Sequence, residues 1–326
     1  MIFDLHCDTL YELRKKKVSG LAVSLLKSDL AIDEKKLTRG GYTAQCFAVW
    51  ATEKEEIPYR ACLEMIDIFD TELGKSELLA PVYSYSDIGE NIRTGKISAI
   101  LSLEDATPIG EDIKRLHYLY RRGVRMIGLV WNYPNSVGYP NINNTVQRNE
   151  YTRLPKNEKD GLTDFGHELI YEMNRLGVAI DVSHLSDAGF YTVANISKKP
   201  FVASHSNSRA VCSHLRNLTD GMLRRLAECG GVVGINYFSD FLNNDAERGK
   251  KTAECAVRHI KHIGSLIGYD YISLGSDFDG IPRGAEIDSS ADVPKLVRAL
   301  EKHGFCETQI EKITYLNALR VFKEIL

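Results

Sequence analysis

The sequence of 326 residues has little of what a membrane protein or a nucleic-acid-binding protein needs. No uninterrupted apolar run approaches the ~20 residues that a membrane-spanning helix requires. Basic residues are not in excess, since 41 Lys and Arg stand against 44 Asp and Glu, and no basic block is larger than the short cluster from Arg14 to Lys17. General binders of nucleic acids or anionic membranes carry a basic surface. We therefore expect no nucleic acid and no membrane as partner.

Cysteine is sparse and unpatterned. The seven cysteines are odd in number, scattered and without a C-x-x-C pair. This distribution argues against a disulfide framework or a cysteine-rich zinc site, and it favours reduced thiols in the cytoplasm. The first eight residues carry charges and lack the apolar segment of a signal peptide. We expect a cytoplasmic protein.

Apolar, β-branched runs alternate with amphipathic stretches along the whole chain. Eight such runs are typical of buried parallel strands: Ile2–His6, Ala44–Trp50, Ile97–Glu104, Val124–Trp131, Val178–His184, Phe201–His205, Val232–Tyr237 and Tyr271–Asp277. This alternation predicts an α/β fold, a single (β/α)8 barrel of the TIM type spanning residues 1–326. Because a strand count does not show closure, a doubly wound sheet is the alternative. The polar stretch Asn132–Lys159 is the one long loop, either a lid or a surface excursion.

Titratable residues recur at one structural location, the carboxyl ends of the predicted strands, where barrel enzymes build their active sites. They come from five different strands: His6, Asp8, Glu104, His184, His205 and Asp277. A lone histidine after an apolar run is more often a packed core residue than a ligand. Two of them on neighbouring strands, beside an H-x-D pair and a glutamate, favour a metal site.

The spacing of His6 and Asp8 places both side chains on one face of a strand, so that they can bind one ion. Together with His184, His205 and a shared Glu104, they supply enough nitrogen and oxygen ligands for two Zn²⁺-like ions with open positions. Glu104 is the natural bridge because it has two oxygens and paired ions lie roughly 3.5–4 Å apart.

Two acids compete for proton transfer in the segment Gly275-Ser-Asp-Phe-Asp-Gly280. We favour Asp277, which is nearer the strand end than Asp279. Other catalytic templates are missing: the sequence has no G-x-S-x-G elbow and no P-loop, and His167-Glu-Leu-Ile-Tyr171 lacks the second histidine of a zincin helix.

These residues resemble the renal-type (membrane) dipeptidase family, zinc peptidases of the amidohydrolase-like barrel group. Five segments carry the resemblance: Asp4-Leu-His-Cys-Asp-Thr9, the strand that ends at Glu104, Gly161-Leu-Thr-Asp-Phe-Gly166 running into Ile180-Asp-Val-Ser-His184, Ala203-Ser-His-Ser206 with Arg216-Asn217, and Gly275 to Gly280. The family implies two Zn²⁺ per chain, one held by His6, Asp8 and Glu104 and the other by Glu104, His184 and His205.

The resemblance also implies roles outside the metal ligands. Asp277 matches the family's acid/base, and Glu104 belongs to the catalytic centre as the bridging ligand. Arg216 matches the anchor for the free carboxylate of a dipeptide. Substrates are then small dipeptides, with a D-residue accepted at the C-terminal position, and a homodimer is expected from the family alone.

One position departs from the family pattern. Trp131 stands where the renal-type enzyme has a histidine that helps to hold substrate, and the neighbouring Asn132 offers a replacement donor. Two alternatives remain at the level of sequence. One is another metal-dependent barrel hydrolase, such as a phosphoesterase, deoxyribonuclease or lactonase, although most of these carry H-x-H where this chain has His6-x-Asp8. The other is a catalytically decayed binding protein.

Overall fold

The computed structural model describes residues 1–51, 55–141, 161–243 and 249–326. Its sheet consists of nine strands that pair in parallel. In chain order they are β1 (Ile2–Asp4), β2 (Tyr42–Trp50), β3 (Leu79–Pro81), β4 (Ile97–Glu104), β5 (Val124–Gly128), β6 (Ala179–Asp181), β7 (Val202–Ala203), β8 (Val232–Ile235) and β9 (Ile272–Leu274).

Eight of these strands close into a ring. The sheet runs from β2 through β1, β9, β8, β7, β6 and β5 to β4, and β4 pairs again with β2 from Ala44–Ser98 to Trp50–Glu104. The predicted (β/α)8 barrel is therefore confirmed over the doubly wound sheet, and each of the eight predicted runs overlaps a strand. The ninth strand, β3, was not predicted. It pairs with the first residues of β4, on the edge that β5 occupies further along.

Helices surround the barrel. They are α1 (Thr9–Val18), α2 (Glu34–Gly40), α3 (Pro58–Leu73), α4 (Tyr85–Arg93), α5 (Ile113–Arg121), α6 (Asp164–Leu176), α7 (Asp187–Ile196), α8 (Asp220–Glu228), α9 (Ser239–Leu242), α10 (Thr252–Ile267), α11 (Pro294–Lys302), α12 (Glu307–Glu311) and α13 (Asn317–Ile325). A π-helical turn, Lys312–Leu316, joins the last two. None of the helices described is long and apolar enough to cross a membrane.

The two ends of the barrel differ in chemistry. At the amino ends of the strands, α13 and the turn before it pack apolar side chains against strand residues, with the Phe322 ring 5.2 Å from the Phe3 ring and the Tyr315 ring at 6.4 Å. The carboxyl ends instead carry polar and charged side chains. Most of the predicted loop Asn132–Lys159 lies outside the described residues, since 142–160 are not among them.

Candidate active site

A cleft of about 640 Å³ opens at the carboxyl ends of the barrel strands. Nine of the predicted site residues are brought together here. Eight line the cleft, namely Asp8, Glu104, Trp131, Asn132, His184, His205, Arg216 and Asp277, and His6 lies buried among them with 1% of its surface exposed. Residues separated by up to about 270 positions in sequence therefore meet because each follows a strand of the same closed ring.

One oxygen of Glu104 faces the two histidines that follow β6 and β7. Glu104 Oε1 lies 3.0 Å from His184 Nε2 and 3.6 Å from His205 Nε2, and the two Nε2 atoms are 3.0 Å apart. Burial lowers the pKa of both imidazoles well below the usual value, with the positive charge of Arg216 adding to the effect. Both rings are therefore neutral at physiological pH.

The other oxygen of Glu104 faces the first strand. His6 Nε2 lies 3.5 Å from Glu104 Oε2, 3.3 Å from Asp8 Oδ2 and 3.9 Å from Asp277 Oδ1. Although burial alone would lower the pKa of His6, the charges of Glu104 and Asp8 raise it well above its usual value. The carboxylates around His6 thus favour the protonated, positively charged form of its ring.

Two of the carboxyl groups near His6 have raised pKa values. Burial, with the charge of Glu104, raises the pKa of Asp8 to about 6, and burial is likewise the main reason that the pKa of Asp277 is raised to about 7. Asp8 Oδ1 is buried and has no hydrogen-bond partner among the described residues. Such groups are costly to bury unless they are paired or bind a cation.

These observations fit a metal centre. The neutral imidazole of a metal-binding histidine offers a lone pair, and here two such nitrogens converge on a carboxylate oxygen within 3.0–3.6 Å. His6, Glu104 and His205 form one group with ligand atoms within 4.8 Å of one another, and His6, Asp8 and Asp277 form a second. Nitrogen and carboxylate ligands of this kind suit zinc.

The structure separates the two competing aspartates. Asp277 presents Oδ1 to the cluster, while its Oδ2 accepts a hydrogen bond of 2.9 Å from Asn236 Nδ2. Asp279 instead uses both oxygens to hold the chain together, accepting from Thr9 Oγ1 and Ala31 N at 2.7 Å each. Geometry therefore favours Asp277 for chemistry and Asp279 for structure.

Backbone strain is concentrated at this end of the barrel. Among the described residues other than glycine, positive φ occurs at Asp105 (88°), Asp277 (64°) and Asp279 (66°). Each follows the end of β4 or β9, beside Glu104 or within the predicted acid segment. Non-glycine residues in the left-handed region cost free energy and cluster at functional sites.

Arg216 is a buried guanidinium at the wall of the cleft, with 2% of its surface exposed. It donates to Ser183 O, and weakly to His205 O at 3.4 Å and Ser206 Oγ at 3.5 Å, while its guanidinium carbon lies 5.5 Å from the centre of the Phe241 ring. Burial lowers its pKa only to about 10. Arg216 therefore remains charged at neutral pH.

Trp131 belongs to an aromatic cluster that lines the cleft. Its ring lies 4.8 Å from that of Trp50, 5.6 Å from that of Tyr133 and 6.1 Å from that of His184, and Trp50 in turn contacts Tyr11 at 4.8 Å. The next residue, Asn132, places its Oδ1 2.8 Å from His184 Nδ1. Asn132 is thus engaged with a predicted metal ligand as well as lining the cleft.

Several residues of the site were not predicted. Asn236 orients Asp277, and the buried Asp181 bonds to the segments that carry His184 and His205. Asp181 stands in the sequence motif before His184, but a carboxylate three residues from a histidine gives no signal of its own. Only the closed sheet brings these partners together.

The whole chain matches a known protein family. The model of the membrane dipeptidase family, peptidase family M19, matches residues 1–326. The chain belongs to this family. The resemblance drawn from the sequence is thereby confirmed, and the M19 family is one of metallopeptidases that include dipeptidases.

Individual relatives match most of this chain. An uncharacterized protein in the pqqA 5′ region of Klebsiella pneumoniae is 36% identical over 244 residues, which is 74% of this chain and 87% of that protein. An uncharacterized dipeptidase of Schizosaccharomyces pombe is 34% identical over 232 residues, 71% of this chain but only 53% of the relative. The match thus spans about half the length of the yeast protein.

Among solved structures, a metallopeptidase from Rhodobacter sphaeroides superimposes with a TM-score of 0.89. It is 26% identical, and the alignment covers 100% of this chain and 99% of that one. That enzyme was crystallised with a phosphinate mimic of the dipeptide L-Ala-D-Ala. The barrel described above is therefore the fold of an M19 metallopeptidase.

Proposed function

We propose that this protein is a dizinc dipeptidase. The observation that carries the proposal is the division of Glu104 between two half-sites: Oε1 faces His184 and His205, whereas Oε2 faces His6. In this proposal His6, Asp8 and Glu104 hold one Zn²⁺, and Glu104, His184 and His205 hold the other. Zinc bound there would polarise the scissile carbonyl and lower the pKa of water at the site.

Asp277 handles the proton. Its Oδ1 faces the cluster, and its Oδ2 is fixed by Asn236, so the carboxylate is held in one orientation. As water adds to the scissile carbonyl, its proton moves to Asp277 Oδ1. The same proton passes to the amine nitrogen as the C–N bond breaks, which leaves two free amino acids and an ionised Asp277. A carboxyl with a raised pKa suits this exchange at neutral pH.

Arg216 selects dipeptides. A guanidinium binds a carboxylate through two parallel hydrogen bonds, which the ammonium of lysine does not reproduce. Held in the cleft wall, it fixes the distance between the scissile bond and a free C-terminal carboxylate. Because Arg216 contacts the carboxylate of the C-terminal residue and not its side chain, a D-residue fits at this position. The bound L-Ala-D-Ala mimic of the Rhodobacter sphaeroides relative supports this extension.

The test begins with metal. Purified protein treated with a chelator should lose hydrolysis of L-Ala-L-Ala and L-Ala-D-Ala, and two zinc ions per chain should restore it. Full activity without metal, or binding of dipeptide without hydrolysis in the zinc-loaded protein, would contradict the proposal. The second outcome would favour the decayed binding protein.

Arg216→Ala tests the anchor. Hydrogen bonds to a charged group contribute roughly 1.5–3 kcal/mol, so the variant should lose about ten- to a hundredfold in kcat/KM on free dipeptides. The wild type should lose a similar factor when the C-terminal carboxylate is amidated, and the variant should hardly respond. Arg216→Lys, which keeps the charge but not the fork, should recover only part of the loss. Equal sensitivity of wild type and Arg216→Ala to amidation would show that Arg216 is not the anchor.

A further inference from the structure

Each of the two histidines at Glu104 Oε1 has a partner on the far side of its ring. His184 Nδ1 faces Asn132 Oδ1 at 2.8 Å, and His205 Nδ1 faces Ser204 Oγ at 2.7 Å. Both partners therefore leave Nε2 as the atom that faces the cluster. The partner of His184 is a neutral amide at the rim of the cleft, whereas the partner of His205 is a fully buried hydroxyl.

The hydroxyl of Ser204 is in turn bound to a carboxylate. Ser204 Oγ donates to Asp181 Oδ2 at 2.5 Å. The other oxygen, Oδ1, accepts from Ser204 N at 2.9 Å, from Ser183 N at 3.0 Å and from Ser183 Oγ at 2.6 Å. Asp181 is the last residue of β6 and is 4% exposed. One buried carboxylate thus holds the residues immediately before both His184 and His205.

The direction of each hydrogen bond from His205 through Ser204 to Asp181 follows from the number of protons that the three side chains carry. A carboxylate only accepts hydrogen bonds, and a serine hydroxyl has a single proton. Because that proton lies between Ser204 Oγ and Asp181, the hydroxyl must accept from His205. His205 Nδ1 therefore carries the ring proton, and Nε2 presents a lone pair toward Glu104.

We propose that Asp181 and Ser204 are positioning residues that fix His205 in its zinc-binding tautomer. The inference rests on the proposed function, since it takes His205 as a zinc ligand. The carboxylate acts through the hydroxyl: it orients Ser204, and the hydrogen bond from Nδ1 to Ser204 increases the electron density at Nε2. Such outer partners of a metal-bound histidine typically change metal affinity or activity by 10–100-fold when they are removed.

Two substitutions distinguish the contribution of the Ser204 hydroxyl from that of the Asp181 charge. Ser204→Ala removes the acceptor for Nδ1. Asp181→Asn keeps the shape of the side chain but introduces an NH₂ group, which donates to Ser204 Oγ. The serine proton is then free to be donated to His205 Nδ1, so both hydrogen bonds reverse their direction. The reversed order places the ring proton of His205 on Nε2, where it blocks zinc. Asp181→Asn should therefore weaken zinc binding at least as much as Ser204→Ala.

A matched control is available in the same barrel. Ser273 lies on β9, is fully buried, and its Oγ has no hydrogen-bond partner among the described residues. Ser273→Ala therefore removes a buried hydroxyl without breaking a hydrogen bond. Any loss specific to Ser204→Ala then reflects the hydrogen bonds of its Oγ with His205, Asp181 and Ser183, rather than the loss of an oxygen atom from the core.

The first measurement is the tautomer of His205 in the full-length, metal-free protein. Long-range ¹H–¹⁵N correlation spectra distinguish an imidazole protonated at Nδ1 from one protonated at Nε2. The His205 signal is assigned by its absence in His205→Gln. The wild type should show protonated Nδ1, and Asp181→Asn should show protonated Nε2. This readout needs neither activity nor zinc. Protonated Nε2 in the wild type would overturn the inference, whether or not the variants fold.

The second measurement is zinc affinity, by competition with a chelating indicator. Ser204→Ala should bind one of its two zinc ions about 10–100-fold more weakly than the wild type, while Ser273→Ala should match the wild type within twofold. Equal affinity in Ser204→Ala and Ser273→Ala would overturn the inference. A wild type that binds no zinc, yet shows the expected tautomer, would instead overturn the proposed function.

Discussion

Two buried glutamates in different regions of the molecule have opposite surroundings. Glu72, in the helix layer, has a fully buried side chain that accepts from Lys17 at 3.0 Å, Lys75 at 2.8 Å, Ser24 Oγ at 2.6 Å and Leu25 N at 2.9 Å. Glu104, at the mouth of the barrel, is nearly as buried but faces the nitrogens of three histidines. The chain surrounds the first charge with its own lysines, whereas the second lies among the histidine nitrogens of the candidate metal site.

The largest effect should come from Glu104→Gln. Activity should fall to the uncatalysed background, because the amide lacks the charge that the two half-sites share. Zinc should raise the Tm of the wild type through preferential binding to the folded state, but should hardly raise that of the variant. Without metal, the variant should be somewhat less stable than the wild type because, despite burial, which raises it, the charge of His6 lowers the pKa of Glu104 in the folded state.

Activity assays and thermal unfolding with and without zinc measure both effects. The matched control is Glu72→Gln, which should keep its activity and its stabilisation by zinc. A Glu104→Gln variant that zinc stabilises as strongly as the wild type would show that zinc binding does not need the charge of Glu104, and the contrast between the two regions would disappear.

A smaller loss is expected from Asp277→Asn. Asparagine tolerates positive φ and keeps the contact with Asn236 possible, but it does not take up a proton. The value of kcat should fall by about 10²–10⁴, with the zinc content almost unchanged. Steady-state kinetics and metal analysis provide the check.

Asp279→Asn is the matched comparison for that variant. It replaces an acid of the same loop with the same backbone conformation, but one whose oxygens bind Thr9 and Ala31. We expect reduced stability and a kcat within about tenfold of the wild type. An inactive Asp279→Asn beside an active Asp277→Asn would exchange the two assignments.

The smallest effect should come from Glu72→Gln. Despite burial, which raises it, the pKa of Glu72 is held at about 2 by Lys75, Ser24, Lys17 and the amide of Leu25. The folded state therefore binds the ionised form more strongly than the unfolded state, where the pKa is about 4.5. This contribution is complete above pH 4.5 and is lost as the pH falls toward 2.

At pH 7 the variant should be less stable than the wild type by about 1–3 kcal/mol, the cost of impaired hydrogen bonds in a buried site. Urea unfolding at a series of pH values should show this difference shrinking below pH 4.5. A difference that does not change with pH would mean that the charge of Glu72 contributes nothing, and that packing alone explains the loss.

The fold was predictable from the strands that are buried on both faces, because such strands have a recognisable apolar sequence. Strands such as β4, whose eight residues are all buried, produce long apolar runs. The strand β3 escaped prediction because it has three residues and ends in proline. Only Thr9, Leu10 and Leu13 of α1 are buried, so its apolar pattern is too short to detect.

The site residues were predictable where a titratable side chain stands at the end of a predicted strand. His6, Asp8, Glu104, His184 and His205 each follow or end an apolar run, and the structure brings all five together; their roles as ligands stay predictions. Asn132 was predicted to contact substrate, but its observed bond is to His184. Side-chain pairs such as Ser204 with Asp181, or Asn236 with Asp277, join different strands and depend on register, which a single sequence does not reveal.

The tie between the first and last strands has a consequence for synthesis on the ribosome. Asp4 Oδ1 accepts hydrogen bonds from His6 N and from Ser276 N, the latter across 272 positions, and β1 pairs with β9 as well as with β2. The segment with His6 and Asp8 is thus translated long before the segment with Ser276, and its surroundings are not complete until that later segment has been synthesised. Contacts between such distant residues form late because the intervening loop must first be ordered. The nascent polypeptide consequently carries an unfinished part of the candidate site until Ser276 has been synthesised, and under the proposed function any zinc captured before then would be held by a partial set of ligands.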